Sequence, residues 1–472
     1  MYRNALEDLE EWLRRARRKP LVLRGARQVG KTTLVRLFAA KHFERLAEIN
    51  FERHPRVADL FASKDPKQIV QLLGLHLGYD VVPGRALLFL DEIQARPDVL
   101  AALRYFYEEM TELHVVAAGS LLEIALEQPS FSVPVGRIEY LHLGPMQLGE
   151  FLLAVGRDQL ADFLRTFTLG DEIPAPIHEQ LLAWLNRFLV VGGMPDAVRA
   201  FVEEDSYRES EAVKQSILST FRDDFGKYGS KVDVGRLRKV FERLPHLVGG
   251  KLKYVHIDRE ERSRDLSAAL HLLTLARVAF RVRHTAANGT PLGAEADERR
   301  FKVLVLDVGL MATATGLTIL DLETADQLMM VHRGALCEQF IGQHLLYDRP
   351  SWEEPQLYYW AREERSSAAE VDYVISVGQE ILPVEVKSGK TGMLKSLHLF
   401  LREKKRNLAL RFNVMPPSVL DAKTSLADGN NVPFRLVSLP LYLVGEAKRL
   451  MTAEVHRPSA RSRTRGRSGS KS

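Results

Sequence analysis

The sequence of 472 residues contains a single cysteine, Cys337, so neither an intrachain disulfide bond nor a zinc site made of several cysteines is possible. A reducing compartment tolerates such a chain, and we expect a cytoplasmic location. The first twelve residues are polar and acidic, unlike a secretory signal peptide. The most apolar stretch, residues 303–320, is interrupted by Asp307 and by Gly and Thr residues, so no membrane span is predicted.

Apart from its last residues, the sequence has nearly equal numbers of acidic and basic residues. It has 66 Lys and Arg residues against 61 Asp and Glu residues, a net charge of +5. The excess lies in a Ser-, Arg- and Gly-rich tail without acidic residues: Arg457, Arg461, Arg463, Arg465, Arg467 and Lys471. The rest of the chain is close to neutral, so its overall basicity gives no argument for nucleic-acid binding. We expect the tail to be disordered, either as a solubilising end or as a nonspecific contact with phosphates.

Ordinary globular composition, with 46% hydrophobic and 27% charged residues, predicts a folded chain of about three domains at roughly 150 residues each. From residue 20 to residue 150, short apolar strands alternate with helical periods. This alternation is typical of an α/β domain with a largely parallel sheet. Strands are predicted at 20–24, 46–51, 86–91 and 113–118, and helices at 31–42, 66–78 and 97–110.

Further along the chain the pattern changes twice. Residues 150–230 lose the strand signal and keep helical spacing, which predicts a helical subdomain. Two helices at 235–247 and 264–276 precede strands at 277–284 and 300–306, an order typical of a winged helix. A helix at 332–346 and strands at 357–360, 371–376 and 381–387 predict a second α/β unit. The predicted domains are 1–160 (α/β core), 161–234 (helical), 235–325 (winged-helix-like), 326–447 (second α/β unit) and 448–472 (disordered tail).

A glycine-rich loop follows the first predicted strand. Residues 25–32 match G-x-x-x-x-G-K-[ST], with an apolar strand before and a helix after. Glycines let the backbone N–H groups wrap phosphates, and the helix N-terminus adds its positive end. Lys31 would reach the β and γ phosphates of ATP, and the Thr32 hydroxyl would hold Mg²⁺. The predicted cradle consists of Gly25, Ala26, Arg27, Gln28, Val29, Gly30, Lys31, Thr32 and Thr33. The alternative is an ordinary glycine turn before a core helix.

Two acidic residues end the predicted strand at 86–91. Four apolar residues precede Asp91 and Glu92, so both emerge at the carboxyl edge of the sheet, where open α/β sheets bind ligands. Asp91 would hold Mg²⁺, mostly through water, and Glu92 would orient and polarise the attacking water. The alternative is that they cap the following helix or are solvated charges at a strand end.

Three further polar residues are candidates for the same site. Ser120 follows the strand at 113–118 and would contact the γ-phosphate or the attacking water, or else cap the next helix. Arg137 follows Gly136 in a loop and would neutralise the transferred phosphoryl group in cis or in trans, or is a surface arginine. Asn50, at the end of the second strand, is a weaker candidate.

A second group of candidates lies on two predicted strands near the C-terminus. Glu385 and Lys387 are two residues apart, so on a strand they share one face, and Asp372 on the adjacent strand would reach the same point. Two carboxylates with a lysine are suited to bind Mg²⁺ and activate water, with Asp372 and Glu385 as ligands. Glu338, on the preceding helix, is a further acidic candidate. The alternative is a solvated strand face.

These motifs together resemble a known family. Residues 24–33, 90–94, 118–120, 136–137 and 143–151 resemble the prokaryotic AAA-type ATPases of the ASCE group. Residues 192–195, 302–310 and 384–389 are similar to the uncharacterised C-terminal domain that accompanies them. The resemblance implies a RecA-like ATPase core, a winged helix and a restriction-endonuclease-like fold of the PD-(D/E)xK type, with Asp372, Glu385 and Lys387 at the matching positions. The sequence departs from that nuclease pattern at Val371, where a proline is usual.

Three functions agree with these observations. The first is an ATP-hydrolysing, Mg²⁺-dependent enzyme that acts on or near double-stranded DNA. The second is a nucleotide-gated switch read by DNA or by a protein partner, with a nuclease-like domain that only binds. The third is a DNA-binding regulator that uses the winged helix, with Arg264 at its recognition helix. An arginine finger acting in trans would require oligomers, whereas no membrane partner is expected.

Overall fold

A computed structural model describes residues 1–126, 134, 136–228, 232–317, 328–364, 367–387, 394–426 and 429–456. The first part of the chain forms a five-stranded parallel sheet with strand order β2-β3-β4-β1-β5. Its strands are β1 (Leu21–Arg24), β2 (Arg45–Asn50), β3 (Ala86–Asp91), β4 (His114–Gly119) and β5 (Glu139–His142). Its helices are α1 (Ala5–Arg14), α2 (Lys31–His42), α3 (Pro66–Leu77), α4 (Leu103–Glu109) and α5 (Leu122–Leu126). The predicted α/β class with a parallel sheet is confirmed.

Both faces of this sheet are buried, as a parallel sheet requires. On β3, Leu87 and Phe89 pack into one apolar cluster, and Leu88 and Leu90 pack into another on the opposite face. The apolar run of β3 thus serves two cores at once, and its polar end at Asp91 reaches the sheet edge. The helix predicted at 97–110 is shorter than expected, because Pro97–Ala102 forms a 3₁₀ turn before α4.

A helical segment follows the parallel sheet. Its helices are α6 (Leu148–Ala154), α7 (Asp158–Thr166), α8 (Ala175–Val191), α9 (Pro195–Glu204) and α10 (Tyr207–Asp224). Their apolar faces join the core beneath the sheet, through residues such as Phe151, Phe188 and Phe221. The segment begins at Leu148, inside the range predicted for the α/β core.

The rest of the chain forms an eight-stranded mixed sheet with strand order β12-β13-β11-β10-β9-β8-β6-β7. Its strands are β6 (Ala279–Thr285), β7 (Ala296–Val305), β8 (Leu357–Glu364), β9 (Ser367–Val377), β10 (Glu380–Val386), β11 (Leu408–Asn413), β12 (Ser418–Lys423) and β13 (Pro433–Pro440). The helices of this part are α11 (Val234–Arg243), α12 (Ser263–Leu275), α13 (Val308–Ala314), α14 (Leu328–Tyr347), α15 (Lys395–Glu403) and α16 (Ala447–Val455).

The hairpin predicted as the wing of a separate domain belongs to this larger sheet. Strand β6 pairs with β7 in antiparallel orientation and with β8 in parallel orientation, placing Val282 beside Leu357. The predicted boundary between 235–325 and 326–447 therefore does not separate two sheets. An isolated two-stranded hairpin is marginally stable in water, and pairing with β8 satisfies the backbone groups along one edge of β6.

The predicted tail also begins later than expected. Residues 447–455 form α16, which buries Leu450 and Met451. These two apolar side chains are the physical reason that this segment is folded. The basic residues from Arg457 onward lie outside the described residues, as does the predicted Ser388–Gly389 motif. Among the helices that the structure describes, none is both long and apolar enough to cross a membrane.

Candidate functional site

The glycine-rich loop joins β1 to α2 through a tight turn. Gln28 and Gly30 have φ angles of 65° and 91°, the left-handed region that a turn of this kind needs. A Cβ atom at Gly25 would collide with the carbonyl oxygen of Leu143. The backbone of the loop is therefore packed closely against residues that follow β5, and glycine is required at position 25.

The Lys31 side chain is buried within the loop that precedes it. Its Nζ atom donates hydrogen bonds to the carbonyl oxygens of Gly25, at 2.9 Å, and Ala26, at 2.7 Å. Burial lowers the pKa of Lys31 to about 8, because the nearby charges of Glu92, Glu123 and Asp91 offset only part of the lost hydration. An anionic phosphate would supply the full negative charge that this ammonium group lacks.

The structure brings the predicted Mg²⁺ ligands together across the sheet edge. Thr32 Oγ1 donates to Asp91 Oδ2 at 3.1 Å, and Asn50 Nδ2 donates to the same oxygen at 3.3 Å. Burial, and then the charge of Glu92, raise the pKa of Asp91 to about 6. A hydroxyl and a carboxylate are oxygen donors of the kind that Mg²⁺ prefers, and a cation there would relieve the cost of the buried charge. These residues therefore fit the predicted ion.

Glu92 lies next to Asp91 with its carboxylate held in place. Its backbone adopts a left-handed φ of 51°, which is uncommon for a side chain of this size. Gln94 Nε2 donates to Glu92 Oε2 at 2.5 Å, and Ser120 Oγ donates to the same oxygen at 3.5 Å. Arg27 Nε in turn donates to Ser120 Oγ at 3.3 Å. Ser120 and Glu92 are thus brought to the phosphate loop from neighbouring strands.

Arg137 has a different environment from the other candidates. Its Nε atom donates to Glu108 Oε1 on α4 at 2.6 Å, and 42% of its side chain is exposed. The structure therefore places it against α4, rather than in contact with the phosphate loop. This agrees with the alternative of a surface arginine and gives a role in cis no support.

Sequence reasoning missed Arg3, which fixes the phosphate loop from behind. Its guanidinium donates to the carbonyl oxygens of Val29 and Gly144, both at 2.8 Å, and forms a buried ion pair with Glu150 at 3.1 Å. The sequence signal for this arrangement is weak. Glu150 forms a capping box with Gln147 in the structure, but nothing in the sequence connects it to residue 3.

The phosphate loop also contacts the helical segment directly. Arg27 Nη1 donates to Asp224 Oδ2 at 2.5 Å, and Asp224 is the last residue of α10. On the other side of the loop, a Cβ atom on Gly30 would lie 3.4 Å from Pro195 Cγ, at the start of α9. Two helices outside the parallel sheet therefore touch the loop that would hold the phosphates.

The residues at 192–195 and 307–310 pack against each other around one buried carboxylate. Asp307 Oδ2 accepts from the Gly193 N–H at 2.7 Å, and Asp307 Oδ1 accepts from the Gly309 N–H at 2.9 Å. Gln343 Nε2, on α14, donates to the same carboxylate at 3.3 Å. A Cβ on Gly309 would lie 2.6 Å from Gly192 Cα. Asp307 thus joins the segment that leads to α9 with α13 and α14.

The predicted C-terminal residues also come together. Asp372 Oδ2 on β9 accepts from the Val386 N–H at 2.8 Å, and Lys387 Nζ donates to Glu385 Oε1 at 2.5 Å. Glu338 approaches from α14. Burial, and then the charge of Asp372, raise the pKa of Glu385 to about 7 and that of Glu338 to about 8.

A buried lysine that the sequence analysis did not identify lies among these carboxylates. Lys302 Nζ, on β7, is 2.6 Å from Glu370 Oε1, 3.6 Å from Glu338 Oε2 and 3.7 Å from Asp372 Oδ1. Across the described part of the chain, no group of three or more His, Cys, Asp or Glu side chains is arranged to hold a metal ion. The Mg²⁺ site expected at Asp372 and Glu385 stays a prediction, and the structure places the Lys302 ammonium group beside one of its two ligands, Asp372.

Comparisons with protein families find matches in three parts of the chain. Residues 17–152 match the family described as an AAA domain. Residues 182–321 and 333–418 match two families described as domains of unknown function, DUF8612 and DUF4143. No curated protein matches the sequence. The restriction-endonuclease-like fold and the winged helix remain predictions.

Three solved structures that match this chain are distant from it in sequence. The ORC1 protein of Aeropyrum pernix, solved in complex with DNA, is 14% identical with a TM-score of 0.26, over 67% of this chain and 93% of that one. PCH-2 of C. elegans is 15% identical with a TM-score of 0.20, over 38% and 48%. The STAND protein PH0952 of Pyrococcus horikoshii is 12% identical with a TM-score of 0.21, over 70% and 44%. The phosphate loop, the strand order and the family match lead to one conclusion: residues 17–152 of this chain form an AAA-type P-loop ATPase domain.

Proposed function

We propose that this chain binds ATP with Mg²⁺ and hydrolyses it, and that the bound nucleotide sets the contacts between the phosphate loop and the helices around it. The observation that carries the proposal is the convergence of Lys31, Thr32, Asp91 and Glu92 at one edge of the parallel sheet. These residue types, in this arrangement, are those that phosphoryl transfer requires.

Each residue has a role that follows from its position. Lys31 would exchange its two carbonyl acceptors for the β and γ phosphates. Thr32 and Asp91 would hold Mg²⁺, which neutralises phosphate charge when bound. Glu92, fixed by Gln94 and Ser120, would accept a hydrogen bond from the attacking water and orient it.

The contacts of the loop support the gating part of the proposal. Phosphates enter a loop whose Arg27 holds Asp224 and whose Gly30 faces Pro195. We expect a change in the loop to reach the end of α10 and the start of α9 through these contacts. Because α9 continues from the Gly192–Gly193 segment that Asp307 holds, the same contacts extend to α13 and α14. Because contact alone does not demonstrate coupling, the effect of ATP on these helices has to be measured directly.

The first experiment is equilibrium binding of ATP–Mg²⁺ to the wild-type chain and to Lys31→Ala. The matched control is Lys41→Ala, because Lys41 lies on the same helix with its side chain largely exposed. We expect the Lys31 variant to lose binding and the Lys41 variant to keep wild-type affinity. Equal affinity of the two variants would contradict the proposed site.

Double-stranded DNA is not part of the proposed function. In the helical pair α11 and α12, Arg236 pairs with Glu261 and Lys239 pairs with Asp258, so these basic side chains are already compensated. Arg264 is exposed on α12. A duplex contact at this surface, a protein partner and an oligomer all remain predictions of the sequence.

A further inference from the structure

The C-terminal carboxylates form one cluster, the carboxylate cluster, with members Glu338, Glu370, Asp372 and Glu385. Its members come from α14, β9 and β10, and β7 contributes Lys302. We propose that the Lys302 ammonium group is the resident cation of this cluster, in the position where the sequence resemblance implies a divalent metal ion. The proposal concerns a site separate from the phosphate loop and does not depend on ATP hydrolysis.

Lys302 lies among the carboxylates of the cluster. Its Nζ atom lies within 4 Å of three carboxylates, on Glu370, Glu338 and Asp372. Only 3% of its side chain is exposed, so the ammonium group is held away from solvent among these oxygens. A divalent cation among the same oxygens would meet a positive charge at close range in a poorly hydrated environment, where the repulsion is strong.

Both predicted metal ligands already accept hydrogen bonds. Asp372 Oδ2 accepts from the Val386 N–H at 2.8 Å, and Glu385 Oε1 accepts from Lys387 Nζ at 2.5 Å. Mg²⁺ demands a near-octahedral shell at about 2.0–2.1 Å, and Asp372 Oδ2 and Glu385 Oε1 would lose these donors on joining it. A lysine thus already compensates Glu385, as Lys302 does Asp372.

Two buried carboxylate oxygens of the cluster lack a hydrogen-bond donor within the described part of the chain. Glu338 Oε2 and Glu385 Oε2 are buried, and neither accepts a hydrogen bond from the residues that the structure describes. Glu338 Oε2 has the Lys302 ammonium group 3.6 Å away. If that ammonium group were removed, the buried carboxylates would face one another with less positive charge nearby, and a divalent cation would restore the balance.

With Lys302 as its cation, the carboxylate cluster has a structural role in the C-terminal sheet. In a cluster compensated by lysine, a metal ion for cleavage of a phosphodiester would have to compete with a fixed ammonium group. The cluster instead fastens the β6–β7 hairpin to α14 and β9 through Lys302. The cluster is thus a built-in ion-pair network that holds the predicted winged-helix-like segment on the C-terminal sheet.

The test is the number of Mn²⁺ ions bound by the nucleotide-free full chain, measured from the loss of the free Mn²⁺ electron paramagnetic resonance signal. The Mn²⁺ concentration is about 1 mM, where weak carboxylate sites fill. The variants are Glu385→Gln, Lys302→Met and Lys302→Met combined with Glu385→Gln. Lys251→Met is the matched control, since Lys251 Nζ lies 3.7 Å from Glu370 Oε2.

We expect wild type, Glu385→Gln and Lys251→Met to bind equally little Mn²⁺. Lys302→Met should gain one Mn²⁺ per chain, and the added Glu385→Gln change should remove it. Two results overturn the proposal: a Mn²⁺ ion in the wild type that Glu385→Gln abolishes, or a folded Lys302→Met variant that gains none. The first comparison needs no change at Lys302, so the proposal stays testable even if that variant fails to fold.

Discussion

Arg27 of the phosphate loop and Asp224 at the end of α10 are joined by a hydrogen-bonded ion pair of 2.5 Å, across 197 residues of sequence. Asp224 is almost fully buried, with 6% of its side chain exposed. The phosphate loop is thereby joined to a helix of another segment, and Asp224 acts together with Glu52, 3.7 Å from Arg27 Nη2, in balancing the charge of Arg27.

The first prediction concerns this pair. Asp224→Asn should weaken it and reduce the effect of ATP on the exchange of α10 backbone amides with deuterium, because the helix end is no longer held by the loop. The cost to the free energy of unfolding should be about 1.5–3 kcal/mol, as for a hydrogen bond between charged groups. Asp223→Asn is the control, since Asp223 is exposed. The same ATP effect on α10 in both variants would contradict gating through Arg27.

The second prediction concerns Arg3. Arg3→Ala should lower the free energy of unfolding by about 3–5 kcal/mol, because it leaves the Glu150 carboxylate buried without its cation. It should also weaken ATP binding, since the carbonyl oxygens of Val29 and Gly144 lose their shared donor. The measurements are chemical denaturation and nucleotide titration. Arg14→Ala, on the exposed face of α1, should change neither quantity. A stable Arg3→Ala variant with unchanged ATP affinity would remove this positioning role.

The third prediction is a bell-shaped dependence of ATP–Mg²⁺ affinity on pH. Asp91 has its pKa raised to about 6, so its carboxylate is protonated below that pH and holds Mg²⁺ less well. Lys31 has its pKa lowered to about 8, so its ammonium group is lost above that pH and attracts phosphate less well. Affinity should therefore be greatest between about pH 6 and about pH 8.

The same shifts determine how the stability of the nucleotide-free chain varies with pH. A raised carboxyl pKa means that the folded state binds more protons than the unfolded state from the ordinary value of 3.8 up to about 6, so Asp91 makes stability fall as pH rises through that window. Lys31 acts oppositely between about 8 and 10.5, where the unfolded state binds more protons and stability rises with pH. The affinity prediction is checked by measuring ATP–Mg²⁺ affinity against pH for the Asp91→Asn variant. The fall in affinity below about pH 6 should disappear in this variant. If that fall persists, another group causes it.

The fourth prediction tests the packing around Asp307. Gly309→Ala should destabilise the chain by about 1–3 kcal/mol, because the new methyl group would meet the Gly192 backbone. Gly149→Ala is the matched control, since a Cβ there meets nothing within 4 Å and alanine favours a helix. Thermal unfolding of both variants measures the difference. Equal stability would show that the two glycine segments do not pack as closely as described.

Local sequence patterns predicted much of the ATPase site. The spacing of Gly25, Gly30, Lys31 and Thr32 is a local signal, and the apolar run before Asp91 placed that residue at the sheet edge. Short-range patterning also gave the strands that carry Asp372 and Glu385, because their alternation is contained within a few residues.

Contacts between distant parts of the chain were not predictable in this way. Arg3, Asp224 and Lys302 act on partners far along the sequence, and each looks like an ordinary surface charge in its own segment. The joining of β6 to β8 was missed for the same reason, since strand pairing depends on tertiary packing rather than on the composition of either strand. Strand β5 was missed because its four residues, Glu139–His142, are mixed in polarity.

In the proposed function, Glu92 acts on the water that attacks ATP bound at Lys31 and Asp91. The most direct measurement is release of phosphate from ATP by the Glu92→Gln variant, beside its equilibrium affinity for ATP–Mg²⁺ and beside a Glu112→Gln control at an exposed position. We expect wild-type affinity with turnover reduced about 10²–10⁴-fold, and an unchanged control. Turnover by Glu92→Gln at the wild-type rate would contradict the account.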